Sequence, residues 1–62
     1  LAELRAFIAG LDELNRALIL LYLDELSYRE IADILGISET NVATKIHRVK
    51  QSLRARMNPQ GE

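Results

Sequence analysis

Leu4, Phe7, Ile8 and Leu11 recur at i, i+3, i+4 and i+7, the spacing of a helix with one apolar side. The pattern predicts a first helix over 2–9, ended at Gly10 by a residue that tolerates a positive φ. Asp12 is placed to cap a second helix over 13–24. Its stripe is Leu14, Ala17, Leu18, Leu21 and Tyr22, and Ile19, Leu20 and Leu23 widen it almost to the full circumference. Such a helix is either central in its fold or leaves one face for a partner. Ser27-Tyr28-Arg29-Glu30 has the form of a capping box, in which the Ser hydroxyl accepts the N–H of the Glu and the Glu carboxylate accepts the N–H of the cap Ser. A third helix follows over 28–35, with Tyr28, Ile31, Ala32 and Leu35 on one face and Gly36 as its stop. Ser38 caps a fourth, over 39–57, whose seam is Val42, Ile46, Val49 and Leu53. Pro59 disfavours helical geometry at Asn58, so 58–62 is expected to be a disordered tail. No strand pattern or internal repeat interrupts this reading. The fold class is all-α, a single four-helix domain over 1–57.

The third and fourth helices flank a turn of special composition. A short helix, a tight turn and a longer helix make a helix-turn-helix. Ala32 is small where the second helix of the pair must cross closely. Gly36 permits the bend, Ile37 plugs its angle, and Val42 stands where the fourth helix first packs back. In a helix-turn-helix the second helix enters the major groove of DNA. At about 100° per residue, the side opposite the Val42 seam carries Thr40, Thr44, His47, Arg48, Gln51 and Arg54, with Asn41 and Lys45 on one flank. Arg can bridge guanine O6 and N7, and Asn or Gln can bridge adenine N6 and N7. Arg48, Lys45 and Lys50 also suit phosphates, which give affinity rather than sequence choice. Ser27, Tyr28 and Arg29 open the third helix, where backbone amides and the helix dipole can hold another phosphate.

Charge supports this division. The net charge of -1 hides an asymmetry. Residues 1–26 carry a net -3, 27–38 a net -1, and 39–62 a net +3, as expected for two surfaces with different partners. Composition removes other classes. Sixty-two residues make at most one domain, and a core this small is marginal. With no Cys and a single His, His47, neither a disulfide nor a Cys- or His-paired metal site can form, so no metal or other cofactor is expected. The absence of Cys fits a reducing compartment, the cytoplasm. The apolar run Ala17–Leu23 falls far short of the roughly 20 residues that span a bilayer, so no membrane partner is expected. The acid pairs Asp12/Glu13 and Asp24/Glu25 sit at helix ends, where the dipole or the loop accounts for them. No nucleophile–base pair or phosphate-cradling Gly loop is present, so neither an enzyme nor a small-molecule site is expected. A chain that begins on Leu1 and enters at once into a helical pattern reads as a segment of a longer protein.

From Leu11 to Leu53 the chain resembles region 4 of bacterial sigma factors, most closely the extracytoplasmic-function type. LSYREIADILGIS followed by NVATKIHRVK carries the likeness most strongly, and Leu1–Ala9 fits the leading helix of that family. The resemblance implies a domain that recognises the −35 promoter element in double-stranded DNA and docks on core RNA polymerase, chiefly the β flap. It also implies a linked region reading the −10 element and, in many members, sequestration by an anti-sigma factor. By position, Thr40, Asn41, Thr44, Lys45, His47 and Arg48 would face bases, and Ser27, Tyr28, Arg29, Ser38, Lys50 and Gln51 would lie near phosphates. The chain departs from the family at four places. Thr40-Asn41-Val42 replaces the usual Gly-Thr-Val, Ala43 replaces a basic residue, a Pro common near Asp12 is missing, and so is a Gly common near Glu25. Base preference is therefore not carried over. Two other readings fit a helix-turn-helix of this size: the output domain of a two-component or quorum-sensing regulator, which dimerises through its last helix, and a protein-interaction module that binds no DNA.

Overall fold

Four helices follow one another in the computed structural model: α1 (Ala2–Ala9), α2 (Glu13–Leu23), α3 (Tyr28–Leu35) and α4 (Glu39–Met57). The structure describes residues 2–57; the tail expected over 58–62 and the stop at Pro59 lie outside them. All three expected N-caps form. Asp12 Oδ1 accepts the Asn15 N–H at 3.0 Å, and Ser38 Oγ accepts the Asn41 N–H at 3.0 Å. The capping box is complete: Ser27 Oγ accepts from Glu30 N–H at 3.1 Å, and Glu30 Oε1 accepts from Ser27 N–H at 2.8 Å.

The helix ends depart from expectation at two places. Gly10 does not adopt a left-handed conformation; among the described glycines only Gly36 does, at φ 72°. The Gly10 N–H is shared between the carbonyls of Ala6 at 3.1 Å and Phe7 at 3.2 Å, and Leu11 N–H reaches Ile8 O at 3.1 Å. The last turn of α1 therefore tightens until the chain leaves it, which satisfies the terminal carbonyls without a chain reversal. The second departure is that α2 ends at Leu23, with Asp24 as its cap, one residue short of the expected 13–24. The cause is Glu25, which takes the left-handed conformation at φ 67°. Its N–H reaches Tyr22 O at 3.0 Å, and Leu26 N–H reaches Leu21 O at 3.3 Å, the paired bonds of a Schellman ending. A side chain in this conformation costs roughly 1–2 kcal/mol. Glu25→Gly is therefore expected to stabilise the domain by about 0.5–1 kcal/mol, the relief being partly offset by a looser unfolded chain. An unchanged or lower melting temperature would show that the strain is relieved some other way.

The core has two parts. Leu18, Ile31, Ala32, Val42 and Ile46 form one cluster, and Leu21, Tyr22, Leu26, Leu35 and Ile37 pack against it. Phe7, Ile19 and Val49 form the other, with Ile8, Leu11, Tyr22 and Leu53 around them. Helix α2 reaches both clusters because it is apolar on adjacent faces, Leu18 serving one and Ile19 the other. Its remaining apolar side stays in solvent, with Leu20 at 50% and Leu23 at 53% exposure. Helix α2 is thus central in the fold and also keeps a bare apolar face.

Candidate nucleic-acid interface

The bend that aims α4 is built from the residues that the sequence singles out. Gly36 ends α3 at φ 72°, its N–H reaching Ala32 O at 2.8 Å, and Ile37 N–H reaches the same carbonyl at 3.1 Å. Ala32 is buried at the crossing of α3 and α4, and Ile37 packs against the same cluster. Beyond the bend, Val42, Ile46 and Val49 are buried and Leu53 half-buried. This fixes the rotation of α4 about its axis, and with it the direction of every other side chain on the helix.

Thr40, Asn41, Thr44, His47, Arg48 and Gln51 are all exposed, as are Ser27, Tyr28, Arg29 and Ser38. The outward side of α4 is therefore a continuous polar surface whose residues can all hydrogen-bond. Two lysines stand apart from it. Lys45 is half-buried on one flank, beside a cleft that it shares with Leu11, Asn15, Arg48, Val49 and Ser52. Lys50 is on the other flank, its ammonium 4.8 Å from the centre of the Tyr22 ring. The Tyr22 side chain beneath it is the main cause that lifts the Lys50 pKa above the ordinary lysine value. At the start of α3, Ser27 N–H is already bonded to the Glu30 carboxylate. A phosphate there has to use the first-turn amides outside the box, those of Tyr28 and Arg29. Tyr28 stands 6.4 Å from Tyr22, ring centre to ring centre.

Asn15 and Ser52 also line the Lys45 cleft, and the sequence reading did not single them out. Ser52 was within reach, because the helical period puts it on the Lys45 flank of α4. Asn15 carried no such signal, since only the packing of α2 against α4 brings it there. A second surface lies between α1, α2 and α4. It is an apolar groove whose walls include Leu4, Phe7, Ile8, Ile19, Leu23 and Leu53. Among the described residues no cluster of His, Asp or Glu is placed to hold a metal ion, and no helix is long and apolar enough to cross a membrane.

The family model for sigma-70, region 4 matches residues 1–53. The chain belongs to the sigma-70 region 4 family. It is 43% identical over 47 residues to the ECF RNA polymerase sigma factor SigM of Bacillus subtilis (strain 168), a match covering 76% of this chain and 29% of that protein. It is 41% identical over 46 residues to the ECF RNA polymerase sigma factor SigW of the same organism, covering 74% of this chain and 25% of that protein. The match thus spans only a quarter to three tenths of the length of these sigma factors. No solved structure matches it significantly. Membership of region 4 favours the sigma reading over the output domain of a two-component or quorum-sensing regulator.

Proposed function

We propose that this chain is the −35-reading domain of a bacterial sigma factor acting in transcription initiation. It places α4 in the major groove of promoter DNA and holds core RNA polymerase through its first half. One observation carries the reading. The buried Val42, Ile46 and Val49 seam turns Thr40, Asn41, Thr44, His47 and Arg48 outward together, beyond a bend held by Gly36. Thr40, Asn41, Thr44, His47 and Arg48 are the residues assigned to base edges; Lys45, expected among them from the resemblance, is half-buried on their flank and is not assigned to a base. Ser27, Tyr28, Arg29, Ser38, Lys50 and Gln51 are assigned to the sugar-phosphate backbone.

The apolar groove and the bare Leu20 and Leu23 face are assigned to the polymerase, with the β flap as the element received. An anti-sigma factor that covers this face would release the domain from the polymerase. The domain performs no catalysis and acts in the cytoplasm, where the polymerase is. A single recognition helix with five basic residues along α4 binds DNA weakly alone, because each neutralised phosphate adds only a modest increment. Tethering to the polymerase supplies the missing affinity by raising the effective concentration.

The test is Arg48→Ala in the full-length sigma factor, with binding sites selected from a random duplex library. Loss of a bidentate Arg contact is expected to remove about 1–3 kcal/mol of discrimination at one base pair. Unchanged −35 selectivity would show that α4 does not read bases through this face.

A further inference from the structure

We infer that the cleft between α4 and the first turn of α2 seats a phosphate of duplex DNA, so that Asn15, Lys45 and Ser52 clamp one strand of the duplex. The inference rests on the DNA-binding reading above and adds a second point of grip to it. The cleft encloses about 180 Å³ and is lined by Leu11, Asn15, Lys45, Arg48, Val49 and Ser52. Two cations, one amide and one hydroxyl converge there on an apolar floor, with no carboxylate in the lining. That donor set suits an anion with several acceptor oxygens.

Rotation of α4 separates the roles of its cations. Lys45 lies about 60° from Val42 on the helix, close to the packed seam, and is half-buried. From there its ammonium reaches the edge of the groove, where the backbone runs, rather than the base pairs. Arg48 lies about 60° further round the helix and is exposed, so it stands at the mouth of the cleft and can turn toward the bases. The facing wall is held in place. Arg16 Nη2 donates to the Leu11 carbonyl at 2.8 Å, and the Asn15 N–H is tied to Asp12 Oδ1 at 3.0 Å. The Asn15 side chain is therefore presented by a braced turn. A phosphate in this cleft would sit on the α2 side of the recognition helix. The start of α3, with Ser27 and Arg29, offers a separate anchor, and two anchors would fix the depth and tilt of α4 in the groove.

The experiment measures binding of the chain to a short mixed-sequence duplex over a range of salt. A mixed sequence suffices because backbone contacts carry no sequence information. Lys45→Ala is expected to weaken binding several-fold on every sequence and to make the slope of log K against log salt shallower by about 0.9. Asn15→Asp is the sharper variant. It nearly preserves shape, and an acid in the first turn of α2 suits the helix dipole, so the melting temperature is expected to hold or rise. The new charge repels a phosphate, and affinity is expected to fall several-fold. The inference is overturned if wild type binds but Asn15→Asp binds equally well, or if Lys45→Ala changes base preference and leaves the salt slope alone. Failure of the wild-type chain to bind any duplex at low salt would overturn the DNA-binding reading itself, and this inference with it.

Discussion

Ile31→Ala is expected to lower the stability of this domain by about 3 kcal/mol, within the range for deleting a fully buried Ile. Ile31 has no solvent exposure and lies in the cluster with Leu18, Ala32, Val42 and Ile46. Its loss opens a cavity at the point where α2, α3 and α4 meet. At the usual 0.05–0.15 kcal/mol per residue, a domain of this size holds only roughly 3–9 kcal/mol in total. The variant is therefore expected to melt on the order of 15 °C lower or to be largely unfolded at room temperature, as followed by circular dichroism. Ile34→Ala is the control. It sits one helical turn away on α3 with 59% exposure, and its removal is expected to change stability by no more than about 0.5 kcal/mol. Equal losses at the two positions would mean that α3 packs through a different face and that α4 is not held as described.

Gly36→Ala is expected to cost about 1–2 kcal/mol. A Cβ at this position would meet nothing within 4 Å, so the cost arises in the backbone, which must hold φ 72° against the Cβ–carbonyl repulsion. Gly36→Val is expected to cost more, because a β-branched residue is a true outlier there. The loss has a functional side. Ala32 O receives two N–H groups across this turn, and the bend they secure sets the angle between α3 and α4. Relaxing φ would swing α4 away from the start of α3 and separate its outward face from Ser27 and Arg29. Thermal melts and duplex binding of Gly36→Ala are therefore expected to weaken together. A variant as stable as wild type would mean that the turn tolerates another backbone path. Gly36→Ala and Glu25→Gly make a matched pair, since the two residues share one conformation and their substitutions are expected to have opposite signs.

Much of the site could be read from local spacing. Val42, Ile46 and Val49 are buried where the 4, 3 spacing puts the seam, and the polar residues of α4 that the helical period turns outward are exposed. The caps at Asp12, Ser27 and Ser38 are equally local, because each bond spans three residues. Gly10 and Glu25 show where such reasoning stops. A glycine after a helix allows a left-handed ending but does not compel it, and α1 tightens instead. Glu25 takes the conformation although it is no glycine, because the chain must turn from α2 into α3 while Leu26 packs against the core.

Local spacing accounts for four helices, the N-caps at Asp12, Ser27 and Ser38, and which stripe of each helix is apolar. Those follow from hydrogen bonds and side-chain spacings that the chain carries wherever it folds. Packing between helices settles how the remaining apolar and polar side chains are shared out. Leu18 and Ile19 went inside while Leu20 and Leu23 stayed in solvent, Lys50 was drawn over Tyr22, and Asn15 was carried to the side of Lys45 and Arg48. These outcomes depend on the angle at which one helix lies across another, and that angle is fixed by packing between residues distant in the chain.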